Sequence, residues 1–387
     1  MSVTAPQGFV AAGVACGIKP AGRPDLALVA TDDGRPVPAA AVFTANRATA
    51  APVQVSRRHL AATAGRAAAV VLNSGNANAA TGAYGLEVAA GTCRLVAGAL
   101  GCDPEEILVC STGLIGIPLA LTPFVAGVPA LVAARSRHGG PAAAAAILTT
   151  DTGSKQVVVD GPGFTVGGLA KGAAMLAPDM ATMLAVLTTD AAVGAGDLQA
   201  ALAAAVAGSF NAITVDGATS TNDTVIVLAG GARGAVDADA FAAALSEACA
   251  HLAHQMAADA EGATKLIRVE VVGAASDAEA ARAARKVAES QLVKCSFYGR
   301  DPYWGRVVSE LGSAGVAFEL DRVSVAYGGV TVCRAGEPCG HDPAAVAAHL
   351  AGRQVTVTAD LGLGPGRATI LTADLTPGYI DENMRTS

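Results

Sequence analysis

Short apolar runs alternate along the chain with alanine-rich segments, which is the pattern of buried strands separated by helices. Strands are predicted for four aliphatic or alternating runs: 25–30, 67–72, 106–110 and 265–273. Helices are predicted for five segments that are mostly rich in alanine: 84–100, 117–135, 140–148, 197–209 and 237–258. Ser276 is expected to be the N-cap of a further helix, because it directly precedes an alanine-rich, charged segment. Together these elements indicate mixed sheets covered by helices.

Three pairs of strands are expected to form hairpins. Residues 155–159 and 164–170 flank one short turn, and the segment 322–334 turns at its two central glycines. The segment 354–376 has strand-like residues on both sides of a Gly- and Pro-rich cluster. It is therefore predicted to fold back on itself at that cluster.

One further apolar run follows a stretch marked by glycine and proline, KGAAMLAP. From Thr182 to Thr189 the residues are β-branched or aliphatic, as in a strand buried on both faces. Threonine suits strands well, so Thr182 has an ordinary structural interpretation. The alternative is that the Thr182 hydroxyl, at the start of this run, takes part in a chemical reaction. Composition alone does not distinguish the two.

The composition limits the class of protein. The chain has 387 residues, enough for a large core in two domains or in one layered domain, and its mean hydropathy is +0.44. Charged residues interrupt every apolar window, so no membrane span is predicted, and the N-terminal residues lack the basic region of a signal peptide. A net charge of −7 without a Lys/Arg cluster argues against a nucleic-acid partner. A cytoplasmic location is expected.

Cysteine and histidine give no sign of a metal site. The eight cysteines are scattered without CxxC spacing, as in a cytosolic protein with reduced thiols. His251 and His254 can share one helix face, but no cysteine or carboxylate cluster accompanies them, so no metal is expected. The sequence contains no GxSxG, Walker A or HExxH motif, and GLGPGR lies between two predicted strands, which makes it a turn.

Three loops have the character of functional loops. NSGNANAATG (73–82), STGLIG (111–116) and TSTNDT (219–224) contain small, polar, turn-forming residues, and the first two directly follow predicted strands. Binding and catalytic groups are often mounted on such loops, although each loop taken alone could be an ordinary turn. Four of their side chains would be costly to bury without a purpose: Asn76, Asn78, Asn222 and Asp223.

A set of motifs runs along almost the whole chain. It comprises GFVAAGVACGIK, NSGNANAATG, STGLIG, TTDT, KGAAMLAPDMATMLAVLTTDA, ITVDGATSTNDT, EGATK, DPYWGRV and YIDEN. Together they resemble the glutamate N-acetyltransferases, also called ornithine acetyltransferases. The sequence departs from the usual family pattern at Ala174, Asp179, Ala218 and Ala260, and its C-terminal tail is short. None of these departures removes a group with a proposed chemical role.

The resemblance implies an α+β fold, a four-layer α/β/β/α sandwich of mixed sheets of the N-terminal-nucleophile type. It also implies that the precursor cuts itself between Ala181 and Thr182. The α chain would then comprise residues 1–181 and the β chain residues 182–387. The two chains would remain entwined, and the assembly would be an α2β2 heterotetramer.

The activity implied by the resemblance is acetyl transfer from N2-acetyl-L-ornithine to L-glutamate through an acetyl-Thr182 intermediate. This reaction belongs to the cyclic pathway of arginine biosynthesis. The resemblance implies no cofactor, although members of the family differ in whether acetyl-CoA also serves as acetyl donor, which would make the enzyme bifunctional. The partners implied are small-molecule substrates and copies of the two chains.

The resemblance assigns a role to each site residue. Thr182 is the nucleophile, and the α-amine created by the cut, with an ordinary pKa of about 7.7–8.0, can serve as its base. The Thr112 hydroxyl and the Gly113 N–H form the oxyanion hole. Lys171 binds substrate, and its charge is expected to lower the pKa of the Thr182 amine. The implied substrate-binding residues are Thr149 or Thr150, Lys171, Thr182, Glu261, Asn383 and Ser387.

Two alternatives stay open at the level of sequence. An aminopeptidase or amidase of the same fold would use Thr182 in the same way but would pass the acyl group to water. A non-catalytic binding protein would keep the bond between Ala181 and Thr182 intact.

Overall fold

The computed structural model describes residues 2–175 and 183–384. By their contacts, these residues divide into two compact units. The first contains the described residues up to Asn211 together with Ala218–Met256, and the second contains Ala212–Gly217 and the described residues from Ala257 onward. The first unit includes residues on both sides of the predicted cut, so a cut at Ala181 would fall inside a unit. The division into two chains at that bond stays a prediction.

The first unit contains two sheets with helices on their faces. Its strands are β1 (Phe9–Val14), β2 (Leu26–Thr31), β3 (Val37–Phe43), β4 (Arg66–Ala67), β5 (Ala69–Asn76), β6 (Ile107–Leu114), β7 (Lys155–Gly161), β8 (Phe164–Lys171), β9 (Leu184–Thr189) and β10 (Thr224–Ala229). Its helices are α1 (Ala51–Ala62), α2 (Gly82–Leu100), α3 (Thr122–Ala134), α4 (Gly140–Ala146), α5 (Ala195–Ala207) and α6 (Ala238–Ala258). The segments predicted as strands and helices before residue 258 all appear, with boundaries shifted by a few residues.

Both sheets of the first unit are mixed. The first has four strands in the order β1-β2-β5-β6, and only the β5–β6 pair is parallel. The second has six strands in the order β4-β3-β10-β9-β8-β7, and only the β9–β10 pair is parallel. Strands β9 and β10 lie at the centre of this sheet and are buried along their whole length, which explains their nearly uninterrupted apolar composition.

The two sheets pack face to face. Val70 and Leu108 of the first sheet lie in one apolar cluster with Leu169, Val186 and Ile226 of the second. The opposite face of the first sheet is covered by α1, α2 and α3 through a separate cluster. The opposite face of the second sheet is covered by α5 and by α6. The layers are therefore helix, sheet, sheet and helix, which confirms the predicted α+β four-layer sandwich.

Strand pairing in the second sheet joins segments from both sides of the predicted cut. Strand β8 pairs with β9 in antiparallel fashion, and this register sets Lys171 opposite Leu184. Strand β3 pairs with β10 in the same way. Two chains divided at residue 181 would consequently share one hydrogen-bonded sheet. The predicted strand 182–189 is observed as β9 from Leu184 onward, and Thr182 lies outside the described residues.

The second unit is a single six-stranded sheet with helices on one face. Its strands are β11 (Leu266–Ala274), β12 (Ser324–Tyr327), β13 (Val330–Arg334), β14 (Glu337–Pro338), β15 (Gln354–Asp360) and β16 (Gly366–Ala373). Its helices are α7 (Asp277–Glu289), α8 (Gln291–Tyr298), α9 (Trp304–Gly312), α10 (Pro343–Ala351) and α11 (Pro377–Asn383). The spatial order of the strands is β14-β13-β12-β15-β11-β16, and one apolar cluster joins the sheet to α7, α8, α9 and α10.

The predicted hairpin over 354–376 is wrong. Strands β15 and β16 do not pair with each other, because β11 lies between them, parallel to β15 and antiparallel to β16. The Gly- and Pro-rich segment instead crosses the end of β11. There the Leu361 N–H donates to the Val272 carbonyl at 3.0 Å, and the Leu363 N–H donates to the Gly273 carbonyl at 2.6 Å.

The other two hairpins are confirmed, since β7 pairs with β8 and β12 pairs with β13, both in antiparallel fashion. The N-cap is also confirmed, because the Ser276 side chain accepts a hydrogen bond from the Glu279 N–H at the start of α7. Over residues 2–175 and 183–384, none of the helices combines the length and the apolar character that a membrane span requires.

Candidate active site

The predicted oxyanion loop lies at the end of β6, where that strand runs beside β5. Gly113 has φ +130°, and a Cβ added to it would come within 2.4 Å of the Gly75 carbonyl carbon. Only glycine fits this backbone without displacing its neighbour. Thr112, the residue before it, is buried. The sequence thus holds the backbone of Thr112 and Gly113 tightly against the neighbouring strand.

Lys171 is the centre of the polar cluster in the first unit. It is the last residue of β8, and its side chain is buried. Its Nζ donates to Thr149 Oγ1 at 2.7 Å and to Thr112 Oγ1 at 3.4 Å. Three residues that the resemblance had placed in the site are therefore brought together around one ammonium group. Thr150, the alternative to Thr149, is exposed.

Asp151, for which the sequence pattern predicts no role, holds this cluster in place. Its buried carboxylate lies 3.6 Å from Lys171 Nζ and 2.6 Å from Lys155 Nζ. It also accepts hydrogen bonds from the backbone N–H groups of Gly172 at 2.7 Å and Thr149 at 3.1 Å. Burial by itself raises the pKa of the Asp151 carboxyl, but the two lysines and the hydrogen bonds hold that pKa well below its usual range.

Lysine side chains gather around Asp151. Two of them, Lys155 and Lys171, have buried ammonium groups beside its carboxylate. A third lysine, Lys19, lies close by: its Nζ donates to the Leu148 carbonyl at 2.5 Å, next to Thr149. Burial and the charges of Arg23 and Lys171 lower the pKa of Lys19. Three lysine side chains therefore lie near Asp151.

The loop that carries Lys19 is organised by one buried carboxylate. Asp25 accepts hydrogen bonds from the backbone N–H groups of four consecutive residues at distances of 2.6–3.1 Å: Cys16, Gly17, Ile18 and Lys19. The Asp25 carboxylate, which directly precedes β2, therefore fixes the backbone of residues 16–19, although these lie several residues earlier in the chain. This explains why the GVACGIK motif ends in a lysine that reaches the cluster.

The three polar loops singled out in the sequence are linked by hydrogen bonds. Asn222 Nδ2 donates to the Ala77 carbonyl at 2.6 Å and to the Ser111 carbonyl at 2.9 Å, so the third loop contacts both others. The Ser111 hydroxyl donates to Asn73 Oδ1 at 2.6 Å, and the Asn78 N–H donates to Asn76 Oδ1 at 2.8 Å. The buried asparagines are thus supports that fix the strand ends, and their burial is offset by these bonds.

Asp223 differs from the asparagines around it. It is fully buried, and its Oδ1 accepts a hydrogen bond from the Met183 N–H at 2.9 Å. Within the described part of the chain, its Oδ2 has no hydrogen-bond partner. Burial holds the pKa of the Asp223 carboxyl well above its usual range, despite the Met183 N–H, the Ser220 hydroxyl and the charge of Lys171, which all lower it. From sequence, Asp223 is expected to be costly to bury, but no chemical role is predicted for it.

Two further predicted residues contact each other in the second unit. Asn383, at the end of α11, donates from Nδ2 to Glu261 Oε2 at 2.7 Å. Glu261 also lines a cavity of about 110 Å³ together with Asp216, Lys294 and Tyr379. The structure therefore brings Glu261 into contact with Asn383 of the C-terminal tail, although the two residues are far apart in sequence.

Three predicted residues, Ala181, Thr182 and Ser387, lie outside the described residues. The predicted cut, the nucleophile and the contact of the terminal serine all depend on them, so these stay predictions. The backbone nitrogen of Met183 is bonded to Thr182. That nitrogen is the atom that donates to Asp223.

Comparison with known proteins gives one consistent result. The model of the ArgJ family matches residues 10–386. The arginine biosynthesis bifunctional protein ArgJ of Thermobifida fusca is 52% identical over 384 residues, which covers 99% of this chain and 99% of that protein. The protein of the same name from Streptomyces coelicolor is 49% identical over 384 residues, with the same coverage of both chains.

Solved structures of similar proteins carry related names. The arginine biosynthesis bifunctional protein ArgJ of Bacillus halodurans is 39% identical and covers 51% of this chain and 96% of its own, with a TM-score of 0.49. The ornithine acetyltransferase of Mycobacterium tuberculosis, solved in complex with ornithine, is 43% identical and covers 46% of this chain and 94% of its own, with a TM-score of 0.41.

Removal of the Asp151 charge should destabilise the first unit. In Asp151→Asn, Lys155 and Lys171 lose their shared counter-charge, and breaking a buried ion pair typically costs about 3–5 kcal/mol. Urea titration at neutral pH should show this loss of unfolding free energy, whereas the exposed control Asp160→Asn should resemble the wild type.

The pH dependence of that loss follows from the lowered pKa of Asp151. A carboxyl with a lowered pKa in the folded state stabilises the fold above its unfolded pKa, and this contribution fades as the pH falls towards the folded pKa. The stability difference between wild type and Asp151→Asn should therefore shrink below the ordinary value of 3.8. Equal stability at neutral pH would show that Asp151 does not hold the two lysines.

Proposed function

This chain belongs to the ArgJ family and is an acyltransferase of arginine biosynthesis, and from this premise we propose that it transfers acetyl from N2-acetyl-L-ornithine to L-glutamate through an acetyl-Thr182 intermediate. The proposal includes self-cleavage between Ala181 and Thr182, which makes Thr182 an N-terminal residue. The observation that carries it is the cluster in which one buried lysine, Lys171, binds the hydroxyls of both Thr112 and Thr149.

The chemistry requires a nucleophile, a base and an oxyanion site. Threonine is a weak nucleophile at neutral pH, and the α-amine that the cut creates can accept the proton of its own hydroxyl. The Thr182 oxygen then attacks the acetyl carbonyl, and the oxyanion forms between the Thr112 hydroxyl and the Gly113 N–H. Ornithine leaves with the proton, and the glutamate amine attacks the acetyl ester in the second half of the reaction.

Substrate recognition in this proposal uses Lys171. Its ammonium group attracts the α-carboxylate that N-acetylornithine and glutamate have in common. Thr149 contacts Lys171 directly, and Thr150 is exposed, so Thr149 is the better candidate of the two. Lys171 is itself paired with Asp151, which reduces the electrostatic effect that Lys171 can have on the Thr182 amine.

Other parts of the proposal follow from family membership. Glu261, Asn383 and Ser387 are proposed to bind substrate, and the hydrogen bond between the first two supports a common role. Relatives are named bifunctional, so acetyl-CoA is proposed as a second acetyl donor. A cytoplasmic α2β2 assembly without a cofactor completes the proposal.

Self-cleavage should be visible on a denaturing gel. The 37.9 kDa product should separate into two chains, the second beginning at Thr182, and both should elute together under native conditions because β8 and β9 share a sheet. Thr182→Ala should remain one chain and should lack activity, since one hydroxyl serves both reactions. Thr189→Ala, at the other end of β9, is the matched control and should be cut. A Thr182→Ala chain that still divides would contradict the proposed nucleophile.

The covalent intermediate can be detected directly. Incubation with N2-acetyl-L-ornithine alone should add one acetyl group to the chain that begins at Thr182, as read by intact mass. Addition of L-glutamate should remove that group and yield N-acetylglutamate, because the second half-reaction needs the acceptor amine. If acetate were released at the same rate with and without glutamate, the enzyme would be an amidase.

The oxyanion site predicts a specific kinetic effect. Loss of one oxyanion donor typically lowers kcat about 10²–10³-fold, so Thr112→Ala should slow transfer on that scale while KM changes little. Thr112→Ser keeps the hydroxyl and should retain most of the activity. A large increase in KM with unchanged kcat would instead identify Thr112 as a substrate-binding residue.

A further inference from the structure

The proposed reaction has a base for acetyl transfer but none for the cut that precedes it. Before cleavage, the nitrogen of Thr182 is an amide nitrogen, which does not accept a proton at neutral pH. The α-amine that activates the hydroxyl later therefore does not yet exist. If the proposed function holds, another group must accept the hydroxyl proton in the precursor.

Asp223 is the described group whose geometry fits this need. Its Oδ1 accepts from the Met183 nitrogen at 2.9 Å, and this nitrogen is the atom to which Thr182 is bonded. Only a few covalent bonds separate that nitrogen from the Thr182 hydroxyl. The second oxygen, Oδ2, is buried and has no hydrogen-bond partner in the described part of the chain. A buried acceptor without a partner is costly and rare in folded proteins, so this oxygen calls for an explanation.

The other buried carboxylate of the cluster is unsuitable as a base. Asp151 is engaged by Lys155, Lys171 and two backbone N–H groups, which hold its pKa well below its usual range. The pKa of Asp223 is shifted in the opposite direction by burial, which makes it a stronger proton acceptor. Among the charged groups of the described residues, Lys171 is the one whose charge lowers the pKa of Asp223.

We propose that Asp223 is the proton acceptor for self-cleavage between Ala181 and Thr182. Its carboxylate takes the proton of the Thr182 hydroxyl as that oxygen bonds to the Ala181 carbonyl carbon. The bond between this carbon and the Thr182 nitrogen then breaks, and Asp223 returns the proton to the leaving nitrogen. Water hydrolyses the resulting ester, which restores the Thr182 hydroxyl and leaves a carboxyl group on Ala181. The cut is complete without any other reactant.

The test measures how fast newly made precursor is cut. The full chain is synthesised in a short cell-free reaction, translation is stopped, and the 37.9 kDa band is followed with time on denaturing gels. Asp223→Asn keeps an oxygen that can accept from the Met183 N–H but cannot take up the proton. General-base catalysis typically contributes about 10²–10⁴-fold, so cutting should slow by that factor. A wild-type rate in a folded Asp223→Asn chain would overturn the proposal.

Two controls separate this role from a structural one. Asp190→Asn changes another buried aspartate that accepts from two backbone N–H groups, those of Gln7 and Thr165, and it should be cut at the wild-type rate. Hydroxylamine cleaves esters, so it should not restore cutting to Asp223→Asn, in which the ester does not form. Restoration by hydroxylamine would assign Asp223 to ester hydrolysis and overturn its role in the first step.

A measurement on the wild-type precursor covers the case in which Asp223→Asn does not fold. Transfer of the precursor into buffers from about pH 4 to about pH 9 should show the cutting rate rising as a single carboxyl loses its proton, with a midpoint above the ordinary aspartate range. A rate that is independent of pH would overturn the proposal.

Thr182→Ala, run in parallel, tests the proposed function itself. If the Thr182→Ala chain is cut, Thr182 is not the nucleophile. If Thr182→Ala stays uncut while Asp223→Asn is cut at the normal rate, only the role of Asp223 is rejected.

Discussion

The site in the first unit depends on the buried carboxylate of Asp151. Burying an ammonium group is expensive unless a counter-charge lies close to it, and here two such groups, Lys155 and Lys171, share one carboxylate at 2.6 and 3.6 Å. Without Asp151, burial of the Lys171 ammonium group would be unfavourable, and the contact between its Nζ and the two threonine hydroxyls would be lost. The same arrangement holds the Lys171 ammonium group beside the two threonine hydroxyls.

A second constraint acts on the backbone. Strands β5 and β6 end side by side, and Gly113 approaches Gly75 so closely that any side chain at position 113 would collide with the neighbouring strand. The buried asparagines of the three loops then fix the strand ends with hydrogen bonds, most directly through Asn222. The Asp151 carboxylate and the asparagines of these loops belong to different segments of the same unit. A site built this way is organised before any ligand binds, which is the condition for efficient oxyanion stabilisation.

Much of this architecture could be predicted from sequence, and the failures have physical causes. Periodicity located the strands and helices because their apolar faces are buried, and family motifs indicated Thr112, Lys171 and one of the two threonines 149 and 150. The hairpin prediction for 354–376 failed because the composition of a Gly- and Pro-rich cluster does not distinguish two cases. Such a cluster can close a hairpin, or it can cross the end of a strand from much earlier in the chain, as it does here with β11. Asp151 and Asp223 had no assigned role because their importance lies in what surrounds each carboxylate.

The pairing of β8 with β9 also constrains the order of folding and of the predicted cut. These strands flank the predicted cut, and their register sets Lys171 opposite Leu184. Asp223 belongs to a loop some forty residues further on in sequence, yet it contacts Met183 because β10 pairs with β9 in the same sheet. Neither contact exists in an unfolded chain. A self-cleavage reaction that uses these groups must therefore follow formation of the second sheet, so the cut can occur only in a chain whose two parts are already held together.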